Sequence, residues 1–169
     1  MITVVIETKN DEVRLAHTLA ALVSAATEGV VREVVVIDHG SSDGTLIVAD
    51  AAGCTIVAAN AYGDDPRQQA AREARGDWLL FLAPTAVLAP GWQAEVMAFI
   101  DRVLVAGRAQ SRAAVFRSGR IDGGSLGWLR SFWNKGEGLL VAKTAYLASS
   151  SSLPASAASR VSGARPGAA

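Results

Sequence analysis

The sequence predicts a single α/β domain in which a mostly parallel sheet is flanked by helices. Short apolar runs rich in β-branched residues alternate along the chain with stretches whose apolar residues recur at helical spacing. Strands that alternate with helices favour a parallel sheet with right-handed crossovers. With 169 residues, 50% of them hydrophobic, the chain can bury a sizeable core but is short for two domains.

The first two predicted units each consist of a strand, a polar turn and a helix. Residues 2–6, "ITVVI", are predicted to form a strand buried on both faces, and Asn10 can cap the helix that follows. The run "EVVVID", residues 33–38, predicts the second strand. A second helix is predicted to start near Gly44 and to end before Gly53.

The next two units follow the same order. The run "CTIVA", residues 54–58, predicts a third strand, and Asp65 and Pro66 are well suited to be the cap and the first residue of a helix. The run "DWLLFL", residues 77–82, predicts the fourth strand. Apolar residues recur at helical spacing from Trp92 onward, which predicts an amphipathic helix.

The pattern weakens beyond Leu104. "RAAVFRSG" and "GLLVA" predict two more strands, and the glycine-rich "GGSLGWLRSFWNKGEG" between them is a long excursion of the kind that is often functional. From Ser149 onward the composition is dominated by Ser, Ala, Gly, Pro and Arg, which predicts a disordered tail. We therefore predict one domain over residues 1–148 and a tail over residues 149–169.

Composition and charge exclude several classes of protein. Sixteen basic residues balance sixteen acidic ones, so the chain lacks the basic excess of a nucleic-acid binder. The single cysteine, Cys54, lies in an apolar run, which indicates a buried residue and not a reactive thiol. No apolar stretch approaches the roughly 20 residues needed to span a bilayer. The sequence predicts a cytoplasmic protein, with peripheral attachment to the inner face of the membrane left open.

The segment "DHGSSDG", residues 38–44, follows the second predicted strand. In an open parallel sheet, ligands bind beyond the carboxyl ends of the strands, so this position favours a ligand. Asp38 can accept hydrogen bonds from a nucleobase N–H or a ribose hydroxyl, and Gly40 lets the backbone approach closely. Helix capping and turn formation are favoured for Ser42, Asp43 and Gly44, whereas a ligand is favoured for Asp38.

Several motifs together resemble the family-2 glycosyltransferases. "ITVVIETKNDEVRLAHTLAAL" followed by "VREVVVIDHGSSDGT" resembles the opening of that family, whose first two strands usually end in Pro-Thr-x-Asn and Asp-Asp-Gly-Ser-x-Asp-Gly-Thr. "RQQAAREARGDWLLFL" resembles its helix and fourth strand, and "NKGEGLLVAKTAY" more loosely resembles a later segment of a membrane-linked branch. The resemblance implies a Rossmann-like GT-A domain, with a nucleotide-sugar-binding half at 1–104 and a reduced acceptor half at 105–148.

The resemblance also implies which residues bind the nucleotide diphosphate sugar. The implied positions are Thr8, Asn10, Asp38, Gly40, Ser41 and Arg67. Thr8 and Asn10 would line the base or ribose pocket, and Asp38 would hold the base or the ribose. Arg67 would meet the diphosphate. Two alternatives stay open, because Asn10 can be a helix cap and Arg67 can be a solvated surface arginine.

The sequence departs from the family pattern at the predicted metal site. The family's fourth strand normally ends in an Asp-x-Asp that binds a divalent metal, whereas this chain has Ala83, Pro84 and Thr85 there. Mg²⁺ and Mn²⁺ prefer carboxylate oxygens, so no metal-ligating residue is predicted and a divalent cofactor is in doubt. Glu7 and His39 also replace the family's Pro and second Asp. An acid at position 7 could repel phosphates, and a protonated His39 could donate to them or be an ordinary surface residue.

Inverting glycosyl transfer needs a carboxylate that takes the proton from the acceptor hydroxyl. Glu137 is the candidate base because it falls where the family segment carries its acid, and Asp122 is the second candidate. Both can equally be solvated loop acids. Three aromatic residues at helical spacing either cover the core or form a lid or a lipid-acceptor contact: Trp128, Phe132 and Trp133.

Two functional hypotheses follow. The first is a domain that binds a nucleotide diphosphate sugar and transfers the sugar to an unknown acceptor, for which a lipid-linked molecule is one candidate. The second is a catalytically inactive descendant of that fold that serves as a binding or regulatory module. A different nucleotide-binding α/β domain is disfavoured, because the chain has neither a Gly-x-Gly-x-x-Gly motif after its first strand nor a P-loop.

Overall fold

A computed structural model describes residues 1–59, 65–88, 90–105, 113–117, 120–123 and 138–149. Seven strands and five helices lie within these ranges. The strands are β1 (Ile2–Thr8), β2 (Val31–Asp38), β3 (Thr55–Ala58), β4 (Trp78–Leu82), β5 (Ala113–Arg117), β6 (Arg120–Gly123) and β7 (Gly138–Ala142). The helices are α1 (Glu12–Thr27), α2 (Thr45–Ala51), α3 (Pro66–Glu73), α4 (Trp92–Val105) and α5 (Lys143–Ser149).

The strands form one sheet in the order β3-β2-β1-β4-β7-β5-β6. The first four strands in this order are mutually parallel, whereas β7 runs antiparallel to β4 and to β5, and β6 runs antiparallel to β5. The prediction of a mostly parallel sheet flanked by helices is therefore confirmed. Strand β6 was not predicted, because its short polar sequence "RIDG" shows no apolar alternation and its pairing with β5 is a property of the backbone.

Helices cover both faces of the sheet, which explains why every residue of β1 is buried. Ile6 and Leu80 pack on the face that α1 and α4 cover. Val5 and Leu79 pack on the opposite face, against side chains of α3 and α5. Successive residues of a strand point to opposite faces. Near the end of β1, Thr8 therefore lies on the same face as Ile6, and Glu7 lies on the same face as Val5.

The helix starts confirm one capping prediction and correct another. Helix α3 begins at Pro66, and the side chain of Asp65 accepts a hydrogen bond from the backbone N–H of Arg67, as predicted. Helix α1 begins one residue later than a cap at Asn10 would allow, because its N-cap residue is Asp11. Asn10 instead has a left-handed backbone with φ of 55°, which asparagine tolerates better than most residues.

The amino-terminal edge of the sheet is closed by a hydrogen-bonded group of side chains. The Thr3 hydroxyl donates to Glu33 Oε1 at 2.8 Å and accepts from the backbone N–H of Gly76 at 2.9 Å. Glu33 Oε1 also accepts from the backbone N–H of Arg75 at 2.5 Å. A Cβ on Gly76 would lie 2.5 Å from the backbone nitrogen of Thr3, so only glycine fits this contact. These bonds tie the segment before β4 to β1 and β2.

Two expectations fall wholly or partly outside the described residues. Residues 124–137, which carry the three aromatic residues of the glycine-rich excursion, lie outside them, and so does the predicted tail apart from Ser149. Both remain predictions. Within the ranges that the structure describes, no helix combines the length and the hydrophobicity that crossing a bilayer requires.

Candidate functional site

The predicted site residues of β1 and β2 meet at the carboxyl edge of the sheet. Thr8 is the last residue of β1 and is paired in register with Asp38, the last residue of β2. The backbone N–H of His39 donates to the carbonyl oxygen of Thr8 at 2.9 Å, which extends the pairing beyond the strand. The structure therefore brings Thr8 and Asp38 together at the position where open parallel sheets bind ligands.

Asp38 organises the loop that follows β2. Its buried carboxylate accepts hydrogen bonds from the backbone N–H of Gly40 at 3.0 Å and from the backbone N–H of Ser41 at 3.1 Å. The Ser41 hydroxyl donates to the same carboxylate at 2.5 Å. Gly40 has φ of 82°, a conformation that glycine adopts without strain. A carboxylate has about four lone-pair sites, so these bonds leave room for a further donor.

Asn10 bridges the loops that follow β1 and β2. Its backbone N–H donates to the Ser41 hydroxyl oxygen at 2.9 Å, and its side-chain oxygen accepts from the backbone N–H of Ser42 at 2.8 Å. Asn10 was predicted to be either a helix cap or a ligand contact. In the structure its side chain holds the two loops together, so any contact with a ligand would be additional to this role.

The amino termini of α1 and α2 cap each other. The Asp43 carboxylate accepts from the backbone N–H of Glu12 at 3.2 Å and from that of Thr45 at 3.0 Å, and the Glu12 carboxylate accepts from the backbone N–H of Gly44 at 3.0 Å. The hydrogen bond from the Thr45 hydroxyl holds the pKa of Asp43 below its usual value. The structure therefore supports the capping interpretation for this part of the loop.

Thr8 is the exception among these hydrogen-bonded residues. It is buried, with 2% of its surface exposed, and its hydroxyl has no hydrogen-bond partner within the described part of the chain. Leaving a buried hydroxyl without a partner costs about 1–3 kcal/mol. Native proteins contain few such groups, and each one calls for an explanation such as an external partner. The Thr8 hydroxyl is therefore a group that a ligand could satisfy.

A cluster of ionisable side chains lies on the other face of the same edge. Glu7 precedes Thr8 in β1, and one oxygen of its carboxylate accepts from Nε of Arg67. The other oxygen lies 2.9 Å from Nε2 of His39. The side chains of Glu7 and Arg67 are buried, with 7% and 8% of their surfaces exposed, whereas that of His39 is 36% exposed. We call these three residues the Glu7 cluster.

Glu7 and Arg67 are charged despite their burial. Burial opposes ionisation of Glu7, but the hydrogen bonds from His39 and Arg67 outweigh it and hold the pKa of Glu7 below its ordinary value. Burial likewise opposes the charge of Arg67, and the bond to Glu7 more than offsets this, which raises the pKa of Arg67. Tyr146 of α5 lies close by, and burial raises its pKa, so its phenol stays neutral.

The structure changes the interpretation of two sequence positions. The alternative that Arg67 is a solvated surface arginine is wrong, because α3 begins against the end of β1 and buries the guanidinium against Glu7. Glu7 does not present an unbalanced negative charge, since Arg67 pairs with it. Sequence reasoning missed this pairing, although a buried acid one residue before the end of a strand was a signal that it needed a partner.

The residues after β4 do not fit a divalent metal. Ala83 and Pro84 use their carbonyl oxygens to accept from the backbone N–H of Ala86 and from the Thr18 hydroxyl, both at 2.9 Å. Thr85, the last of the three residues at the predicted metal position, is exposed and has no carboxylate. Across the described ranges, no group of three or more His, Cys, Asp or Glu side chains could hold a metal ion.

The two candidate catalytic acids differ in their place in the fold. Asp122 lies in β6, four strands from β1, so its backbone is roughly 19 Å from β1 at a strand spacing of about 4.8 Å. The structure therefore does not bring Asp122 close to Thr8. Glu137 lies outside the described residues, but it directly precedes β7. Because Leu139 of β7 pairs with Phe81 near the end of β4, β7 starts at the same sheet edge as Thr8 and Asp38.

Comparisons with known proteins agree with this architecture. A family model described as "Glycosyl transferase family 2" matches residues 3–151. Glucosyl-3-phosphoglycerate synthase from Mycobacterium tuberculosis, in complex with Mn²⁺, UDP and glucosyl-3-phosphoglycerate, is 19% identical with a TM-score of 0.57. That match covers 85% of this chain and 57% of the synthase.

A second solved structure with a similar fold is mannosyl-3-phosphoglycerate synthase from Rubrobacter xylanophilus. It is 19% identical with a TM-score of 0.61, and the match covers 86% of this chain and 54% of that synthase. The chain thus spans little more than half the length of the synthases that it matches. No curated protein matches the chain. At these identities the solved structures establish the shared glycosyltransferase fold, which is of the GT-A type, but they do not identify the ligand of this chain.

Proposed function

The chain belongs to glycosyl transferase family 2, and on that premise we propose that the carboxyl edge of its sheet binds a nucleotide diphosphate sugar. We propose further that the domain transfers the sugar, with inversion, to an acceptor. Solved synthases of similar fold include complexes with UDP and with UDP-glucose. Uridine nucleotides are therefore the first ligands to test.

The observation that carries this proposal is the unpartnered hydroxyl of Thr8. In the described residues, the Thr8 hydroxyl is the one fully buried side-chain N or O atom without a hydrogen-bond partner. A base or ribose group of the nucleotide would supply the missing hydrogen bond. Asp38, paired with Thr8 in register, would accept a second hydrogen bond from the same ligand with its remaining lone pairs.

The shape of the loop supports the same proposal. Among the described residues, no atom lies within 4 Å of the position that a Cβ on Gly40 would occupy, so the space beside this glycine is open. The hydrogen bonds from Gly40 and Ser41 hold Asp38 in place before any ligand arrives. A preorganised acceptor lowers the conformational entropy lost on binding.

The binding proposal is tested by changing Thr8 to valine, which keeps the shape of the side chain and removes its hydroxyl. We expect Thr8→Val to leave the ligand-free protein as stable as the wild type or more stable by about 1 kcal/mol, because a buried unpartnered group is lost. We expect UDP to bind it about tenfold more weakly. Calorimetric titration with UDP, GDP and their sugars, with and without Mn²⁺, measures the affinity, and thermal unfolding measures the stability.

The same strand offers a matched control. Thr3→Val removes a buried hydroxyl that has two partners, so we expect a loss of about 1–3 kcal/mol in unfolding free energy with no change in nucleotide affinity. Thr8→Ser, which retains a hydroxyl, should restore most of the affinity. If no nucleotide binds the wild type, or if Thr8→Val binds UDP normally, the proposed site is wrong.

For the transfer step we propose Glu137 as the general base, with Asp122 as the second candidate. The support for Glu137 is that β7 begins at the sheet edge that carries Thr8 and Asp38. Glu137→Gln should abolish the release of UDP from a UDP-sugar in the presence of acceptor and leave UDP-sugar binding intact. Asp122→Asn is the matched variant, and we expect it to retain turnover.

A second function is supported by the residues after β4. Alanine, proline and threonine occupy the positions at which the family has metal-binding carboxylates. We therefore propose, as the alternative function, a non-catalytic binding or regulatory module. Losing one donor to the developing charge typically costs about a hundredfold in rate, so a domain without a replacement cation would be nearly inactive. Nucleotide binding without turnover of any UDP- or GDP-sugar would favour this alternative, and turnover lost in Glu137→Gln would exclude it.

A lipid-linked acceptor and a peripheral position at the membrane are further proposals. Their support is the segment "NKGEGLLVAKTAY", which resembles that of a membrane-linked branch, and the nearby aromatic residues Trp128, Phe132 and Trp133. Sedimentation with vesicles that contain anionic lipids tests the membrane proposal. A triple substitution of the aromatic residues by serine should abolish any binding that depends on them.

A further inference from the structure

We propose that Glu7 is a positioning residue that holds Arg67 beside a protonated His39, so that the Glu7 cluster offsets the negative charge of a bound diphosphate. This inference rests on the nucleotide site proposed above and deepens it. It assigns a role to three residues on the α3 side of the edge, whereas Thr8 and Asp38 lie on the α1 side. The positive charge of the cluster would offset the negative charge of the diphosphate in place of a metal ion, for which the residues after β4 provide no carboxylates.

The first step of the argument is the location of the cluster. Glu7 is adjacent to Thr8 in β1, and His39 is adjacent to Asp38 in β2. Alternation along the two strands puts Thr8 and Asp38 on one face of the sheet and their neighbours on the other. The two groups therefore share one edge, and a ligand that spans this edge can reach both Thr8 and His39.

The second step is the division of the Glu7 carboxylate between two partners. One oxygen binds Nε of Arg67, and the other lies 2.9 Å from Nε2 of His39. Because Glu7 is ionised, it can only accept, so Nε2 of His39 carries a proton whether the ring is neutral or positively charged. The orientation of the ring is thereby fixed. The His39 side chain is partly exposed, unlike its two partners, so it is the member of the cluster that a ligand can reach.

The third step is electrostatic. A guanidinium and an imidazolium repel each other, and a carboxylate placed between them reduces that repulsion. With all three groups charged, the cluster carries a net charge of +1. Among the described residues, the other charged or titratable groups nearby are Asp38 of β2, Asp65 directly before α3, Lys9 after β1 and the neutral Tyr146 of α5. Of these residue types and those of the Glu7 cluster, histidine is the one whose charge ordinarily changes between pH 5 and pH 8.

The fourth step is a comparison with Glu33, a partly buried acid at the opposite edge of the sheet. Glu33 closes the amino-terminal edge by accepting from the Thr3 hydroxyl and the backbone N–H of Arg75, and it lies 3.5 Å from the exposed Arg75 side chain. A structural closure thus needs neither a buried arginine nor a histidine. Buried ion pairs add little net stability compared with apolar packing, so the Glu7 cluster calls for a role beyond stability.

The test measures how binding of UDP-glucose by the full chain depends on pH. UDP-glucose is the suitable probe because its diphosphate is esterified at both ends and lacks the ionisation near pH 6 of a terminal phosphate. Titrations run from about pH 5.5 to about pH 8, across the range in which histidine loses its charge, with EDTA and at constant ionic strength. We expect the dissociation constant to rise about tenfold across this range, and uridine, which has no phosphate, to bind equally throughout.

Matched variants assign the pH dependence. His39→Gln should remove it, whereas His17→Gln, which changes the only other histidine, an exposed residue of α1, should retain it. Glu7→Gln should also flatten the profile, because Arg67 would then oppose protonation of His39. Glu33→Gln is its control and should keep the wild-type profile. If Glu7→Gln does not fold, the two histidine variants decide the question.

The outcomes separate this inference from the proposed function. If UDP-glucose binds with an affinity that does not change with pH, or if His39→Gln keeps the wild-type profile, the role of the Glu7 cluster is overturned and the nucleotide site stands. If UDP-glucose binds at no pH, the nucleotide site is overturned and this inference with it. A tenfold pH dependence that vanishes in His39→Gln and persists in His17→Gln supports both.

Discussion

The two ends of β1 carry the same kinds of side chain and use them differently. Each end has a threonine, a glutamate and an arginine, which are Thr3, Glu33 and Arg75 where the strand begins and Thr8, Glu7 and Arg67 where it ends. At the beginning, the threonine hydroxyl both donates and accepts. At the end, the threonine hydroxyl has no partner in the described residues.

The arginines differ in the same way. The Arg75 side chain is 71% exposed and only approaches Glu33, whereas the Arg67 side chain is 8% exposed and directly bonded to Glu7. The first end is complete within the chain, because protein donors and acceptors satisfy one another and the remaining charge is solvated. At the second end, the charged side chains of Glu7 and Arg67 are buried, and so is a hydroxyl without a partner in the described residues. This difference is the one we expect between an edge that stabilises the fold and an edge that binds a ligand.

The largest expected effect separates the two glutamates. Glu7→Ala would leave the Arg67 charge buried without its carboxylate, and we expect the free energy of unfolding to fall by about 3–5 kcal/mol. Glu33→Ala should cost about 1–2 kcal/mol, because Arg75 is solvated and only hydrogen bonds are lost. Urea denaturation of both variants measures the difference. Equal losses would remove the electrostatic distinction between the two ends.

The next largest effect concerns the glycine beside each end. Gly76→Ala would push a Cβ to 2.5 Å from the backbone nitrogen of Thr3, and we expect it to cost about 3 kcal/mol because the strand backbone must move. At Gly40 there is open space for a Cβ, and only the positive φ disfavours alanine. We therefore expect Gly40→Ala to lower the free energy of unfolding by about 1–2 kcal/mol. Thermal unfolding of the two variants tests this order, and a larger loss in Gly40→Ala would contradict it.

The smallest expected effect is a difference in acid stability. The pKa of Glu7 is lowered in the folded state, so its ionisation stabilises the fold above the unfolded-state pKa of about 4.3, and this contribution disappears as pH falls through the folded-state value. Below about pH 4, the wild type should therefore lose stability more steeply than Glu7→Gln. Urea midpoints measured between about pH 3 and pH 7 provide the test. Parallel curves for the two proteins would show that Glu7 does not titrate differently on folding.

Sequence patterns predicted the local features of this fold well. Asp65 and Pro66 start α3 as predicted, because a cap and a proline act on residues one or two positions away. The same reasoning failed for Asn10, whose side chain binds a loop 32 residues further along the chain. It also missed β6, whose short polar sequence becomes a strand only by pairing with β5.

The candidate site was predicted in part. Asp38 was named from its position at a strand end and Thr8 from the family resemblance, and the parallel pairing of β1 with β2 puts them side by side. The contact between Glu7 and Arg67 could not be predicted, since the two residues are 60 positions apart. Their contact depends on α3 returning to the end of β1.

Local sequence patterns were sufficient to predict the alternation of strands and helices and the sheet edge at which polar side chains lie. They were sufficient because periodicity and strand ends are local properties of a chain. The tertiary structure was needed to show which of those side chains are hydrogen-bonded, which are buried and charged, and which have no partner among the described residues. The physical reason is that hydrogen bonds and ion pairs between distant residues follow from strand order and register, which no local pattern encodes.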